Sequence, residues 1–348
     1  MSAVGEMFRR LNPWHKDDVP LPPPITTGTA SLLVVLYALS YFVPFYLSPT
    51  TRPSPTLSRD APSVIRARIR SVALSCLVCT AATYTVLART AGATPAEALH
   101  LLGLWPPAPA ASLRALLLTA LLFLGPLYST LVVDGAWRDL LTRGPFAEAW
   151  TAWPAFRNLI AGPVTEEVLF RTASIPLFVV ARASPAQTLF LTPVLFGLAH
   201  VHHLYEFRLT HPQVPAARAL LRSVFQLGYT TLFGGYATFL FLRTGSLLAV
   251  CAVHAFCNCM GLPQVWGRVE PVPVLAGGDI PDTEGRNGGK RALRGAPSIL
   301  WTVAYYVLLV SGAVLWWKNL WVLSESENAL LATEAVWGGG GGQKGVGV

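Results

Sequence analysis

The sequence predicts an all-α, polytopic membrane protein: a bundle of about eight transmembrane helices enclosing a polar intramembrane cavity. Of its 348 residues, 53% are hydrophobic and only 13% are charged, against about 25% charged in an ordinary soluble domain. The charged residues are also unevenly distributed along the chain, and stretches such as 71–88 and 115–133 contain no charged residue. A helix crosses the hydrocarbon core in about 20 residues, and peptide groups there must be hydrogen-bonded internally. We therefore expect each long uncharged stretch to be a helix.

The expected spans follow one another along most of the chain, and the segments between them are short or polar. The lead at 1–28 is polar and rich in proline, a soluble loop is expected from 204 to about 218, and a mobile loop is expected at 263–296. The tail at 324–348 is rich in glycine, which favours disorder. The spans are expected at about 29–49, 68–89, 113–134, 163–182, 186–203, 219–243, 246–262 and 297–318.

The basic residues indicate what the surface contacts. A formal net charge of +8 could favour nucleic acid, but these residues stand beside the expected spans, as Arg59, Arg68 and Lys318 do. Basic residues in such positions contact anionic lipid head groups. We therefore expect membrane lipid as a partner, and no nucleic acid.

The span at 163–182 is unusual because it contains charged side chains. Glu167 and Arg171 are four residues apart, which places them on one helix face in the order that favours an ion pair. Glu166 lies about 100° around the helix from Glu167 and is left without that partner. A carboxylate at membrane depth is costly and therefore a candidate for function. We interpret Glu167 and Arg171 as supporting residues and Glu166 as the candidate general base.

Two later spans carry histidines. His200 lies deep in the span at 186–203, whereas His202 and His203 at its end are interpreted as interfacial groups. In the span at 246–262, His254 and Asn258 are one helical turn apart and share a face. Buried polar groups of this kind need partners, because an unpaired one is expensive.

These side chains suffice for hydrolysis. A carboxylate and an imidazole can activate water, and an imidazole N–H and an amide can stabilise an oxyanion. The chain has neither the G-x-S-x-G pattern of a serine hydrolase nor the H-E-x-x-H pattern of a zinc protease. We therefore expect a metal-free reaction without a cofactor.

Three motifs, in this order on successive hydrophobic segments, resemble those of the type II CAAX prenyl endopeptidases, which are glutamate-dependent intramembrane proteases. The resemblance covers about 145–262 closely, and the eight-span layout extends it to most of the chain. The motifs are E-E-x-x-x-R (Glu166, Glu167, Arg171), F-x-x-x-H (Phe196, His200) and H-x-x-x-N (His254, Asn258).

The resemblance implies a protease domain at 29–323 with its catalytic core at about 145–262, in the endoplasmic reticulum membrane. Its substrates would be farnesylated or geranylgeranylated CAAX proteins, such as Ras-like GTPases, from which it would remove the last three residues. By motif position, Glu166 and His200 would activate the attacking water. His254 and Asn258 would form the oxyanion hole.

Three alternatives remain open at this point. A zinc-dependent peptidase of other specificity could use Glu166, His200 and His254 as ligands, since one carboxylate and two imidazoles form a known catalytic set. A membrane scaffold of the same fold would need none of this chemistry. A proton-coupled transporter could also use buried Glu and His, but no internal repeat supports that alternative.

Overall fold

The computed structural model describes residues 22–138, 147–271, 273–274, 292–293 and 298–330. Its architecture is helical, as predicted, and the one strand pair in this part of the chain joins Pro273–Val274 to Ala292–Leu293 in antiparallel register. The described helices, numbered α1 to α15 in chain order, are Thr27–Phe42, Pro44–Leu47, Pro62–Arg89, Pro95–Leu101, Pro109–Leu122, Leu124–Tyr128, Ala147–Thr151, Trp153–Phe156, Gly162–Glu167, Ile175–Val180, Pro185–Ala199, His202–Thr210, Ala216–Thr244, Leu247–Met260 and Ile299–Leu323.

The predicted count of eight spans is not confirmed. Among the described residues, three stretches are long and apolar enough to cross a membrane: Thr27–Leu47, α3 and α15. A fourth is possible if α5 and the helix at Leu124–Val133, which meet at 82°, form one broken span. Helices α11 and α14, expected to be spans, have 15 and 14 residues, short of the roughly 20 that a crossing takes.

The segment at 153–180 is broken into short helices, and we call it the glutamate segment. Wide π-helical turns at Arg157–Ala161 and Val168–Ala173 interrupt it, and Pro163 and Pro176 each lie in the first turn of a short helix. Proline has no N–H to donate, so it is tolerated where a helix begins. Turns of the π type are frequent at functional sites.

The glutamate segment lies at the centre of the bundle. Several of its apolar side chains, including Leu169 and Phe178, are fully buried in a core shared with Val34 of α1 and Cys79 of α3. Inside this core the hydroxyl of Thr83 donates to the Ala173 carbonyl at 2.7 Å. Contact on several sides fixes the rotation of the segment, which decides where its charged residues face.

Close helix packing positions the end of α11. A Cβ atom on Gly197 would collide with the Thr231 hydroxyl of α13, and one on Gly234 of α13 would lie 3.1 Å from the Phe196 ring. The two glycines therefore allow α11 and α13 to approach closely. This contact places His200, the residue after α11, beside the glutamate segment.

The structure describes only part of the expected lead, loops and tail. The loop expected from 204 to about 218 is wrong in part, because His202–Thr210 forms α12. Most of the expected lead, of the loop at 263–296 and of the tail at 324–348 lies outside the described residues. Where the tail begins, Leu330 is fully buried and its N–H donates to the Leu242 carbonyl at 2.8 Å.

Candidate active site

The structure brings together side chains from three separate motifs. Oε2 of Glu166 lies 4.0 Å from Nε2 of His200 and 3.8 Å from Nε2 of His254. The glutamate is on α9, the first histidine follows α11 and the second is on α14. Residues far apart in the chain thus form one Glu–His–His cluster.

Glu167 supports this cluster through a bond to His254, and it also pairs with Arg171. Its side chain is fully buried, and Nη1 of Arg171, which is 1% exposed, donates to its Oε1 at 3.1 Å. Nδ1 of His254 donates to the same oxygen at 2.6 Å. The predicted pair of Glu167 and Arg171 is therefore present, and it has a third member that the sequence did not indicate.

Arg171 is held on its other sides as well. Nη2 donates to the Gly234 carbonyl at 3.2 Å, and the guanidinium carbon lies 4.6 Å from the centre of the Phe196 ring. A guanidinium over an aromatic face is favourable, more so where water is excluded. Phe196, the first residue of the F-x-x-x-H motif, thus covers the buried ion pair and has a supporting role.

His200 has one ring nitrogen committed to the backbone. Its Nδ1 donates to the Phe196 carbonyl at 2.8 Å, which leaves Nε2 on the side of Glu166. In the neutral ring, a proton on Nδ1 makes Nε2 an acceptor. The side facing Glu166 therefore carries a lone pair.

Asn258 lies apart from the buried cluster. It is exposed, and its Nδ2 donates to the Asn158 carbonyl at 2.8 Å. His254, one turn earlier, is instead 5% exposed and bonded to Glu167. The two residues share a helix face as predicted, but only Asn258 lines the cavity described next.

A cavity of about 180 Å³ opens beside Glu166 and His200. Both apolar and polar side chains line its wall, a composition typical of ligand sites. The lining residues include Tyr41, Phe45, Ile65, Ile69, Val72, Phe170, Arg59, Arg68, Arg157, Asn158, Thr165, His202, His203 and Asn258.

Sequence reasoning missed much of this wall. Arg59 and Arg68 are expected at lipid head groups, and no motif pointed to Tyr41 or Asn158, because only the fold brings them to the glutamate segment. Tyr41 reaches it directly, with its hydroxyl 3.0 Å from Oγ1 of Thr165.

His202 and His203, interpreted as interfacial, also line the cavity. The ring of His202 stacks on Phe42 with centres 5.1 Å apart, and its Nδ1 donates to the Ala199 carbonyl at 2.6 Å. His203 donates from Nδ1 to Oε2 of Glu206 at 3.3 Å. Both rings thus have structural partners, and neither approaches Glu166 as His200 does.

In the part of the chain that the structure describes, no set of three His, Cys, Asp or Glu side chains is arranged to hold a metal ion. His254 has Nδ1 committed to Glu167 at 2.6 Å. The cluster consists of a carboxylate between two imidazoles, beside a cavity in an apolar helical bundle, and these groups can exchange protons with a bound water. These are the parts of a membrane-embedded hydrolase.

Comparison with known proteins agrees with this class. The family model described as type II CAAX prenyl endopeptidase Rce1-like matches residues 148–260. A probable CAAX prenyl protease 2 of Schizosaccharomyces pombe is 38% identical over 238 residues, covering 68% of this chain and 83% of that protein.

Two further relatives extend the likeness. The CAAX prenyl protease 2 of Homo sapiens is 36% identical over 239 residues, covering 64% of this chain and 69% of that protein. That of Arabidopsis thaliana is 48% identical over 113 residues, covering 32% of this chain and 36% of that protein. No solved structure is significantly similar to the chain. The chain belongs to the Rce1-like family of type II CAAX prenyl endopeptidases, and it is a multi-pass membrane protease.

Proposed function

We propose that this protein removes the three C-terminal residues from prenylated CAAX proteins, with Glu166 and His200 activating the attacking water. The observation that carries the proposal is the position of the Glu166 carboxylate between two imidazoles at the wall of a cavity. The names of the relatives support the substrate class.

The spacing within the cluster suits one bound water. The distance of 4.0 Å between Glu166 and His200 is too long for a direct hydrogen bond, and contacts of this length are commonly bridged by water. Both groups facing the gap are acceptors, because Nδ1 of His200 donates to the Phe196 carbonyl. A water that donates to both presents its lone pair to the substrate carbonyl. Glu166 takes the proton during attack and delivers it to the leaving amine.

Oxyanion stabilisation falls to Asn258 and His254. The Asn258 amide has two N–H bonds, and the Asn158 carbonyl accepts only one of them at 2.8 Å. His254 donates from Nδ1 to Glu167, so its Nε2 becomes a second donor only in the imidazolium form. The Glu167 carboxylate supports that positive charge, and Arg171 balances the carboxylate. Removing one oxyanion donor typically costs about 10²–10³ in kcat.

The membrane setting supports a lipid-modified substrate. Helices α1, α3 and α15 expose many apolar side chains, among them Leu32, Leu77 and Val310. A prenyl chain brings the C-terminal tail of its protein to the same depth, since each buried CH₂ contributes about 0.8 kcal/mol. The substrates are farnesylated or geranylgeranylated proteins such as Ras-like GTPases, and the site of action is the endoplasmic reticulum membrane.

The test is a product analysis. Membranes carrying the protein are incubated with a farnesylated peptide that ends in the modified Cys and three further residues, and the products are identified by mass. We expect an intact tripeptide and a peptide ending at the farnesylated Cys. Stepwise loss of single residues, or no difference from membranes without the protein, would refute the proposal.

A further inference from the structure

The cavity beside Glu166 has a basic side. Arg59, Arg68 and Arg157 line it together with Glu166 and His200. The hydrolysis proposed above uses none of these guanidinium groups. A cavity that offers a carboxylate on one side and cations on another is suited to a ligand with an anionic end.

Two of the three arginines are held by short hydrogen bonds to other residues. Arg68, 13% exposed, donates from Nη2 to Glu206 at 3.0 Å and from Nε to the Thr51 carbonyl at 2.9 Å. Arg157 donates from Nη1 to Asp60 at 2.8 Å and from Nε to the Asn158 side chain at 3.0 Å. These bonds fix both guanidinium groups.

Arg59 is held less firmly. Its side chain is 45% exposed, and its Nη1 lies 3.5 Å from Oε2 of Glu206. That distance is at the limit of a hydrogen bond. The same carboxylate already accepts from Arg68 and from His203. Arg59 can therefore turn to a new anion without leaving Glu206 unpaired.

We propose that Arg59 binds the C-terminal carboxylate of the peptide substrate. The inference rests on the proposed function and deepens it, since it assigns a binding group for the free end of the chain. Guanidinium groups bind carboxylates through two parallel N–H bonds, which fixes orientation as well as charge. A carboxylate held there limits how far the peptide enters, and so contributes to cleavage three residues from its end.

Glu166 and Arg59 lie on the wall of the same cavity, with other side chains between them. Three extended residues span about 10 Å. Contacting side chains connect Glu166 with Arg59. Nε2 of His200 lies 4.0 Å from Glu166, and the ring centre of His203 lies 5.9 Å from that of His200. Glu206 is bonded to both His203 and Arg59. Both ends of this series line one cavity.

The experiment compares two farnesylated peptides that differ only at the C-terminus, one with a free carboxylate and one with an amide. Each is assayed with the parent protein, Arg59→Gln and Arg59→Lys. For the parent we expect kcat/KM to be about tenfold higher for the carboxylate, given the strength of charged hydrogen bonds. Arg59→Gln should bring the ratio close to one, and Arg59→Lys should retain part of it. The ratio within one preparation does not depend on how much protein is folded.

Arg52→Gln is the matched control, because Arg52 is an exposed arginine of the same loop that does not line the cavity. Its ratio should equal that of the parent. Equal cleavage of both peptides by the parent, or an unchanged ratio in Arg59→Gln, would overturn the inference while leaving the proposed function intact. Cleavage of neither peptide by the parent would refute the proposed function and the inference together.

Discussion

Nδ1 of His254 lies 2.6 Å from Oε1 of Glu167, and Nη1 of Arg171 reaches the same oxygen at 3.1 Å. One carboxylate oxygen thus joins the glutamate segment to α14 and sets the orientation of the His254 ring. Glu167 is engaged by this pair of bonds, whereas its neighbour Glu166 faces the cavity and His200. Two adjacent glutamates therefore have different environments, and they should respond differently to the same substitution.

Replacing Glu166 with Gln should abolish hydrolysis. The substitution preserves size but removes the group that accepts the proton of water. Positioned proton transfer contributes about 10²–10⁴-fold, so kcat should fall by that factor while KM changes little. The measurement is steady-state cleavage of a farnesylated peptide by purified enzyme. Glu166 would have no place in the mechanism if the variant kept half of the parent activity.

Replacing Glu167 with Gln is the matched comparison and should reduce stability. It leaves Arg171 buried without its counter-charge, and breaking a buried pair typically costs about 3–5 kcal/mol. Thermal unfolding in detergent should show a lower Tm for Glu167→Gln and an unchanged Tm for Glu166→Gln. A reversed order of the two Tm values would contradict the separation of roles.

Part of this site follows from local spacing and part does not. The separations of Glu167 from Arg171 and of His254 from Asn258 predict shared helix faces, and the structure has both. Spacing cannot predict that His254 bonds to Glu167, because that contact depends on packing between α14 and the glutamate segment.

The count of eight spans is not confirmed, for a related reason. Hydropathy predicts an apolar segment of a certain length, but not where it breaks. Around Pro163 and Pro176 the chain forms short helices and π turns. The predicted span at 186–203 stops at Ala199, and a new helix begins at His202.

Removing the amide of Asn258 should slow the chemical step. If one of its N–H bonds stabilises the oxyanion, Asn258→Ala should lower kcat by about 10²–10³. Asn258→Asp keeps the size but cannot donate when ionised, so it should be at least as inactive. Single-turnover rates at saturating substrate are the appropriate measurement. An active Asp variant beside an inactive Ala variant would indicate that Asn258 contributes shape rather than a donor.

Chelation should leave the activity unchanged. The proposed mechanism uses water held by Glu166 and His200, and it assigns no step to a metal. We expect enzyme dialysed against a strong chelator to retain its kcat/KM, with less than one equivalent of zinc by elemental analysis. Loss of activity on chelation and its return with zinc would favour the zinc-dependent alternative.

Acid should weaken the structure around Glu206, which lies on α12 outside the apolar spans. Burial raises the pKa of this carboxyl, but the hydrogen bond from His203 and the charges of Arg68 and Arg59 outweigh burial and lower the pKa to about 2, from 4.5. A carboxyl with a lowered folded-state pKa stabilises the protein above pH 4.5, and this contribution is lost as the pH falls toward 2.

At neutral pH, Glu206→Gln should therefore be less stable than the parent, by about 3 kcal/mol if it behaves as a typical broken buried pair. The difference in Tm between the two proteins should shrink as the pH is lowered from 5 to 3. Unfolding of both in detergent across this range is the test. A difference that stays constant with pH would show that Glu206 contributes packing and not charge.

Selectivity for the prenyl group should be strong, because the site lies among apolar helices and an unmodified peptide lacks the apolar chain that would bring it to that depth. Each buried CH₂ contributes about 0.8 kcal/mol, so peptides with a farnesyl or a geranylgeranyl group should both be cleaved, immediately after the modified Cys. The same sequence without a prenyl group should have a much lower kcat/KM.

Matched peptides at equal concentration, assayed in detergent and in bilayers, separate recognition by the protein from partition into lipid. Preference in bilayers alone would assign the effect to partition. Equal kcat/KM for modified and unmodified peptides in both settings would mean that the cavity recognises only peptide, and the substrate class would then be that of a general intramembrane peptidase.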